Sequence, residues 1–203
     1  MDTPSARPKQ ERSRRTRKRM VEAAYQLFRE RGYGVPLTEV AELAAVSVQN
    51  VYFTFQNKRQ LAREVLQWAV HGRAIDLPPH EQAWFQELLA ASVASDAVRI
   101  WVENTLPVYA RVAPVAGMFL AESELTETWD RSEKLRMYGF RHAMAAIAPK
   151  GVFRAGCDLD TAAQVMFVLL SPLVYEEFVT RLQWPPARWG MWVADLVTRA
   201  IFD

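Results

Sequence analysis

Cysteine and long apolar runs are scarce in this chain of 203 residues, and each scarcity argues against a class of protein. Cys157 is the single cysteine, which excludes an intramolecular disulfide and favours a reducing, cytoplasmic compartment. The apolar runs read as too short for the roughly 20 residues that cross a bilayer, so we predict no membrane partner. The polar, basic N-terminus also lacks the apolar core of a signal peptide.

Groups that carry catalysis or bind metal ions are few as well. The histidines, His71, His80 and His142, lie far apart in the sequence and are expected to be ordinary surface or core residues. The chain has no glycine-rich phosphate loop, no nucleophile elbow and no zinc-ligand spacing. We therefore predict that the protein is not an enzyme and holds neither a metal ion nor a cofactor.

Two smaller features permit chemistry without requiring it. Cys157, beside Gly156, has the setting of a redox sensor, although an inert, partly buried thiol is the favoured interpretation. Glu122, Glu124 and Glu127 form an acidic cluster that could hold a cationic ligand, although such clusters usually face solvent.

The charges divide the chain into two unlike parts. Residues 1–75 hold 14 basic and 7 acidic side chains, a net charge of +7, whereas residues 76–203 hold 11 and 16, a net charge of −5. A cationic part joined to an acidic part indicates nucleic-acid binding by the first and a different task for the second. The basic run before the first helix is either a solvated tail or, as we prefer, a phosphate or minor-groove contact; it comprises Arg12, Arg14, Arg15, Arg17, Lys18 and Arg19.

Residues 37–61, LTEVAELAAVSVQNVYFTFQNKRQL, have the pattern of a helix-turn-helix. The first helix has one buried face at the i, i+3, i+4, i+7 spacing, formed by Leu37, Val40, Ala41 and Ala44. Ser47 is a good N-cap for a second helix that begins at Val48. An ordinary amphipathic helical hairpin has the same spacing and is the alternative interpretation.

The second helix directs different residue types to its two sides. Val51 and Phe55 point one way, while Gln49, Asn50 and Phe53 point elsewhere. Glutamine and asparagine can pair bidentately with adenine, and apolar groups suit the thymine methyl. Tyr52 and Lys58 suit phosphates, which fix the register without reading the sequence. Double-stranded DNA is therefore the predicted partner.

From Arg14 to Leu61 the chain resembles the DNA-binding domain of the tetracycline-repressor-type (TetR) transcriptional regulators. The matching segments are LFRERGY, VA, AVS and VYFTF, followed by Lys58 and Leu61 at the family spacing. The chain departs from the family pattern at four positions, because Pro36, Ala45, Gln49 and Asn50 stand where Thr, Gly, Gly and Thr are usual. The changes at Gln49 and Asn50 affect the operator sequence that would be read.

This resemblance implies an all-α protein with an N-terminal three-helix DNA-binding domain and a larger C-terminal domain for effector binding and dimerisation. The expected boundaries are a flexible basic arm over 1–12, a DNA-binding domain with its linker helix over 13–75, with the motif at about 37–56, and the second domain over 76–203. The residues expected at DNA are Arg14, Arg15, Arg17, Thr38, Ser47, Val48, Gln49, Asn50, Tyr52, Phe53 and Lys58.

Periodicity and proline positions predict the remaining helices. Helices are expected over about 13–31, 58–75, 80–94, from 96 to before Pro107, 114–125, 129–147, from Asp158 or Asp160 to 170, 174–182, and from Trp184–Pro186 to about 201. Pro78 and Pro79 should end the fourth helix, and Pro172 should kink the chain.

The C-terminal part offers a candidate effector pocket and a candidate dimer interface. An unknown small-molecule effector is expected among large apolar groups with a few polar handles, namely Trp101, Tyr109, Met118, Phe119, Glu122 and Phe140, although any helical core uses such residues. The last helices are apolar on more than one side, and in the resembled family they pair with their copies. The interface is expected to use Phe167, Leu170, Tyr175, Phe178, Trp189, Trp192 and Leu196.

The favoured hypothesis is a homodimeric repressor that leaves a palindromic operator when the effector binds. The alternatives are an architectural DNA-binding dimer without an effector and, less favoured, a helical enzyme or carrier.

Overall fold

A computed structural model describes residues 6–72 and 81–203 of the chain. Within these ranges the α-helices are α1 Ala6–Arg31, α2 Leu37–Leu43, α3 Val48–Phe55, α4 Lys58–His71, α5 Ala83–Ala90, α6 Ala94–Ala121, α7 Thr126–Ile147, α8 Leu159–Leu169, α9 Pro172–Tyr175 and α10 Pro186–Ile201. Short 3-10 turns at Ser123–Leu125 and Ala148–Lys150 flank α7, and a π-helical turn, Glu176–Arg181, follows α9. The all-α prediction is confirmed.

The helix-turn-helix elements lie where the sequence predicts them, and α1 is longer than expected. It begins at Ala6 and not near Ser13. Pro8 lies in its first turn, where the missing N–H would have no helical partner, and Arg15 pairs with Glu11 at 2.7 Å one turn away. The α4 helix ends at His71, four residues before the predicted end at residue 75, because Gly72 caps it with an N–H that donates to the Trp68 carbonyl. Residues 1–5 of the predicted arm, the break at Pro78–Pro79 and His80 lie outside the described residues.

The α6 helix corrects the prediction of two helices separated at Pro107 and Pro114. It runs without a break for 28 residues with both prolines inside it. Each proline removes a backbone hydrogen bond. However, α6 buries side chains along its whole length, from Val98 and Val102 near the start to Phe119 near the end. This burial offsets the loss, and the helix therefore continues.

Two apolar cores meet on α6. The first core joins α1–α4 to the last turns of α6 and the start of α7 through Val112, Val115, Ala116, Phe119, Leu125 and Trp129. The second core lies between α5, the first half of α6, α7, α8 and α10. A single helix thus carries residues of both cores, so the N-terminal and C-terminal parts are packed together.

The segment Leu159–Arg181 corrects the expectation that no run is apolar enough to cross a membrane. Its mean hydropathy of 1.4 meets that criterion by length and composition alone. In the fold the segment is interrupted, because α8 ends at Leu169 and the Ser171 hydroxyl accepts the Leu173 N–H at 3.2 Å to begin α9. Core helices of globular proteins meet the same criterion, and α8 packs against α7 and α10.

Candidate nucleic-acid interface

The inner face of α3 is fixed by caps and by burial. The Ser47 side chain accepts the N–H of Asn50 at 3.2 Å, and the Asn57 side chain accepts the N–H of Gln60 at 2.9 Å at the start of α4. Val51 and Phe55 are buried in the first core. These contacts set the rotation of α3 about its axis, which decides the side chains that face outward.

The turn before α3 holds an alanine in a glycine conformation. Ala45 has a φ of +52°, in the left-handed region that L-residues rarely occupy. The position is one where the TetR pattern has glycine, so the turn keeps its shape despite the substitution. Pro36 lies at the N-cap of α2, one residue before the predicted first turn, and α2 has no side-chain cap.

The outer face of α3 presents the predicted base-reading residues unequally. Gln49 is exposed, and Phe53 is 88% exposed. Val48 and Asn50 are half-buried, and the Thr54 hydroxyl donates to the Asn50 carbonyl at 2.7 Å. Gln49 and Phe53 therefore project furthest from the domain.

Some of the residues predicted to contact phosphates have exposed side chains, whereas others are paired within the domain. Thr38, Ser47 and Arg14 are exposed, and Tyr52 is 53% exposed. Arg15 is exposed, and its ion pair is with Glu11 of its own helix.

Arg17 differs from its neighbours because it is tied to the domain. Its guanidinium forms a two-point ion pair with Glu64 of α4 and lies 4.9 Å from the centroid of the Phe55 ring. This arrangement makes Arg17 a brace between α1, α3 and α4. The Arg17 side chain is therefore already engaged within the domain. Of the three arginines predicted to contact phosphate, Arg14 and Arg15 are the better placed.

Lys58 occupies the junction between the two parts of the chain. Its Nζ lies 4.5 Å from the centroid of the Tyr33 ring, a cation–π geometry. Burial lowers the pKa of Lys58, while Glu124 and Glu122 oppose that shift. Any phosphate contact by Lys58 must compete with these neighbours.

Comparison with known proteins gives one family model that matches the N-terminal part of the chain. The sequence model described as "Bacterial regulatory proteins, tetR family" matches residues 20–65, which contain the end of α1, all of α2 and α3, and the start of α4. The matched residues include the helix-turn-helix and its supporting core. Residues 20–65 are therefore similar to the DNA-binding domain of TetR-family regulators. No curated protein matches the sequence.

Solved structures of TetR-family regulators share the whole fold. A Mesorhizobium loti chain assigned to this family is 20% identical with a TM-score of 0.69, over 95% of this chain and 99% of that one. NalD of Pseudomonas aeruginosa, the secondary repressor of the MexAB-OprM multidrug efflux pump, is 20% identical with a TM-score of 0.66, over 94% and 97%. A complex of SmeT with triclosan is 20% identical with a TM-score of 0.65, over 93% and 92%, and SmeT is the repressor of the Stenotrophomonas maltophilia efflux pump SmeDEF.

Hydrogen bonds that the sequence did not reveal join α1, α4 and α6. The Tyr25 hydroxyl donates to the Arg111 carbonyl at 2.9 Å, and Arg111 Nε donates to the Ala69 carbonyl at 2.9 Å in the last turn of α4. The Tyr25 and Trp68 rings lie 4.6 Å apart, beside a groove of about 510 Å³ that also borders the α2–α3 turn. Arg111 of α6 therefore contacts both α1 and α4.

The predicted effector residues fall in two places instead of one. Trp101, Tyr109 and Phe140 belong to the second core, whereas Phe119 and the half-buried Met118 pack in the first core. Glu122 caps the end of α6 beside the latter pair. The six residues therefore divide between two cores, because the continuous α6 places Trp101 and Tyr109 in one core and Met118 and Phe119 in the other.

The second core contains buried polar side-chain atoms. Trp101 Nε1 and Trp189 Nε1 are buried without a hydrogen-bond partner in the described part of the chain. Burial raises the pKa of Tyr109 to about 12, and the Tyr109 ring lies 5.6 Å from that of Trp189. Arg136, half-buried and paired with Glu133 at 2.7 Å, stacks 3.6 Å from the centroid of the Phe167 ring.

The predicted dimer residues are likewise divided. Three of them are buried within the protomer, namely Leu170, Tyr175 and Trp189. These side chains can pack beneath a dimer interface but do not contribute exposed area to it. Phe167, Phe178 and Leu196 are half-buried, and Trp192 is exposed. The sequence analysis missed exposed apolar side chains on the same helices and the turn after them, namely Val168, Leu173, Leu182 and Met191.

Other predicted reactive groups have ordinary surroundings. His71 Nδ1 and His142 Nδ1 lie 2.8 and 3.1 Å from carbonyl oxygens of their own helices. Burial raises the pKa of the half-buried Cys157 thiol, which lowers its reactive thiolate fraction. Over residues 6–72 and 81–203, His, Cys, Asp and Glu form no group of three that could hold a metal ion.

Proposed function

We propose that the protein is a homodimeric transcriptional repressor that binds a near-palindromic operator and is released by a small molecule. The observation that carries this proposal is the outward face of α3, polar and aromatic, on a domain that shares its core with the C-terminal helices. A two-fold dimer would bring two copies of α3 to successive major grooves, about 34–36 Å apart.

Each exposed residue has a role in this docking. Val48, Gln49, Asn50 and Phe53 would face base edges, with Gln49 and Phe53 reaching deepest. Tyr52, Thr38, Ser47, Arg14 and Arg15 would hold phosphates and fix the register. Lys58 would also contact a phosphate if its ammonium group moved away from the Tyr33 ring.

The effector would be an apolar, aromatic compound with a hydrogen-bond acceptor. The orphan Nε1 groups of Trp101 and Trp189 support this choice, because a buried donor gains most from a partner that water cannot supply. The SmeT complex with triclosan gives a structural relative that binds an aromatic compound. Release would follow if the compound binds more tightly to a dimer with the wrong spacing between its α3 helices. The signal would pass through Arg111 from α6 to α4.

Binding of DNA from upstream of the protein's own gene tests the proposal. Fluorescence anisotropy at two salt concentrations should show tight, sequence-selective, salt-dependent binding, with a scrambled duplex as the comparison. Tyr52→Ala should weaken binding to both duplexes, because it removes a phosphate contact. Gln49→Ala should instead change the preference between them. Unchanged binding by Tyr52→Ala would show that α3 docks in another orientation.

An architectural dimer without an effector is the second candidate. The close aromatic packing of the second core, with the Trp101 and Phe140 rings 5.9 Å apart, favours a filled interior. A screen of aromatic compounds by thermal melting separates the two candidates. A compound that raises the melting temperature and releases DNA supports the repressor, whereas no shift across the screen supports the architectural role.

A further inference from the structure

The recognition helix of this chain carries no charged side chain. Its eight residues are Val48–Phe55, VQNVYFTF. Guanine is read in the major groove mainly by Arg or Lys, and cytosine is read by Asp or Glu. Groups of both kinds are absent from α3. The amide and apolar side chains on its outer face suit adenine and the thymine methyl.

Gln49 and Phe53 lie next to each other on the outer face. They are four residues apart, so one side chain lies above the other on the helix surface. Gln49 is exposed and makes no side-chain hydrogen bond with the described residues. Phe53, at 88%, is the most exposed large apolar side chain in the described part of the chain. Both groups are free to meet a ligand without any rearrangement of the domain.

Asn50 and Tyr52 are less suited to this task. Asn50 is half-buried, and the Thr54 hydroxyl lies 3.5 Å from its Oδ1. Tyr52 is less exposed than Phe53, and its hydroxyl suits phosphate. Gln49 and Phe53 are therefore the two side chains best placed to contact base edges.

We propose that Gln49 and Phe53 read neighbouring A·T pairs, Gln49 through adenine N6 and N7 and Phe53 through the C5 methyl group of a thymine. The proposal rests on the proposed function, since it requires α3 in the major groove. A separation of four residues is about 6 Å along a helix, and base pairs are about 3.4 Å apart. The two contacted pairs therefore lie within about two steps of each other in each half-site.

Modified bases test each contact by removing single groups. The full chain is used to select duplexes from a randomised library, and the enriched pool is amplified in three forms. One form has ordinary bases, the second has uracil for thymine, which lacks the methyl group, and the third has 7-deazaadenine for adenine, which lacks N7. Affinities are measured for the parent, Phe53→Ala and Gln49→Ala at low salt, where weak complexes are still detected.

We expect the parent to bind the uracil pool about 4-fold to 15-fold more weakly than the ordinary pool, since one lost methyl contact per half-site is worth roughly 4-fold. Phe53→Ala should bind these two pools equally, while Phe53→Leu, which keeps an apolar group, should retain part of the difference. The 7-deazaadenine pool should be weaker for the parent and unchanged for Gln49→Ala.

The controls separate this proposal from the proposed function. Leu135→Ala removes an apolar group that is 66% exposed on α7, and it should behave as the parent on all three pools. Equal losses on the uracil pool for the parent and Phe53→Ala would mean that DNA shape is read, and would overturn the thymine contact. Enrichment of G·C pairs without uracil sensitivity would also overturn it. No enrichment by the parent would instead refute the proposed function.

Discussion

At the residue scale, Gly72 shows how a backbone conformation secures the end of α4. Its φ is +74°, its N–H donates to the Trp68 carbonyl at 2.8 Å, and a Cβ placed there would meet the Arg111 guanidinium at 3.0 Å. We expect Gly72→Ala to lower the free energy of unfolding by about 1–3 kcal/mol through the backbone alone, because a φ of +74° with a ψ of −166° is a combination nearly restricted to glycine. Urea denaturation measures the change.

Gly117 provides the matched control for this substitution. It lies inside α6, and a Cβ there would meet nothing within 4 Å. Gly117→Ala should raise the free energy of unfolding by about 0.5–1 kcal/mol, because alanine suits a helix better than glycine. If both variants shift stability in the same direction, the conformation of Gly72 is not what fixes the end of α4.

Single residues also mark the limit of the sequence analysis of the DNA site. Spacing separates the inner Val51 from the outer Gln49 because both lie within one short helix. Spacing does not reveal that Arg17 is held by Glu64, which lies 47 positions away in the chain. Whether a basic residue is free for phosphate depends on tertiary partners, which a local pattern does not contain.

At the element scale, the α8 N-terminus makes stability depend on pH. The Thr161 N–H that donates to Asp158 Oδ1 at 2.7 Å holds the pKa of that carboxyl below its ordinary value of 3.8. The stabilisation by the charged cap is therefore complete above about pH 4 and is lost as the pH falls through the lowered pKa. We expect the parent to exceed Asp158→Asn in urea midpoint at pH 7, with a difference that shrinks below pH 4.

The alanine variant separates charge from hydrogen bonding at this cap. Asp158→Ala loses both contributions, so it should be less stable than Asp158→Asn at neutral pH. A difference between the parent and Asp158→Asn that is constant from pH 7 to pH 3 would show that the charge of the cap contributes nothing.

Helix boundaries that depend on local signals were predictable from the sequence, whereas the continuity of α6 was not. Asp158 and Ser47 cap the helices that their positions predict, because capping depends on neighbours along the chain. The prolines of α6 led to the prediction of a helix end that does not exist. The free-energy cost of each proline is offset by the burial of Val98, Val102 and Phe119 in two separate cores. That competition is decided by packing between distant segments.

At the scale of the whole molecule, the mistaken break in α6 also affected the predicted pocket, whose residues lie in two cores and not in one. The sequence places Trp101 and Phe119 in one apolar set because both belong to aromatic, amphipathic stretches. A continuous α6 carries them into different cores, and α6 and α7 contribute residues to both. Composition predicted the C-terminal domain and its apolar interior, but the distribution of side chains between cores follows from the uninterrupted helix.

The exposed apolar side chains of α8–α10 predict how the whole molecule assembles. Met191 on α10 is 66% exposed, the same as Leu135 on α7, so the two allow a matched comparison. A two-fold interface repeats each substitution on both protomers, and burying one unpaired carboxylate costs several kcal/mol. Met191→Glu should therefore raise the dimer dissociation constant at least ten-fold in sedimentation experiments, whereas Leu135→Glu should leave it unchanged.

DNA binding then connects assembly with function. A Met191→Glu monomer has one α3 helix, so it should bind a palindromic duplex no more tightly than a single half-site, while Leu135→Glu should keep the preference for the palindrome. The opposite result, dissociation by Leu135→Glu alone, would move the interface to α7. In that arrangement the α3 helices would have a different separation, and the distance between half-sites in selected duplexes would report it directly.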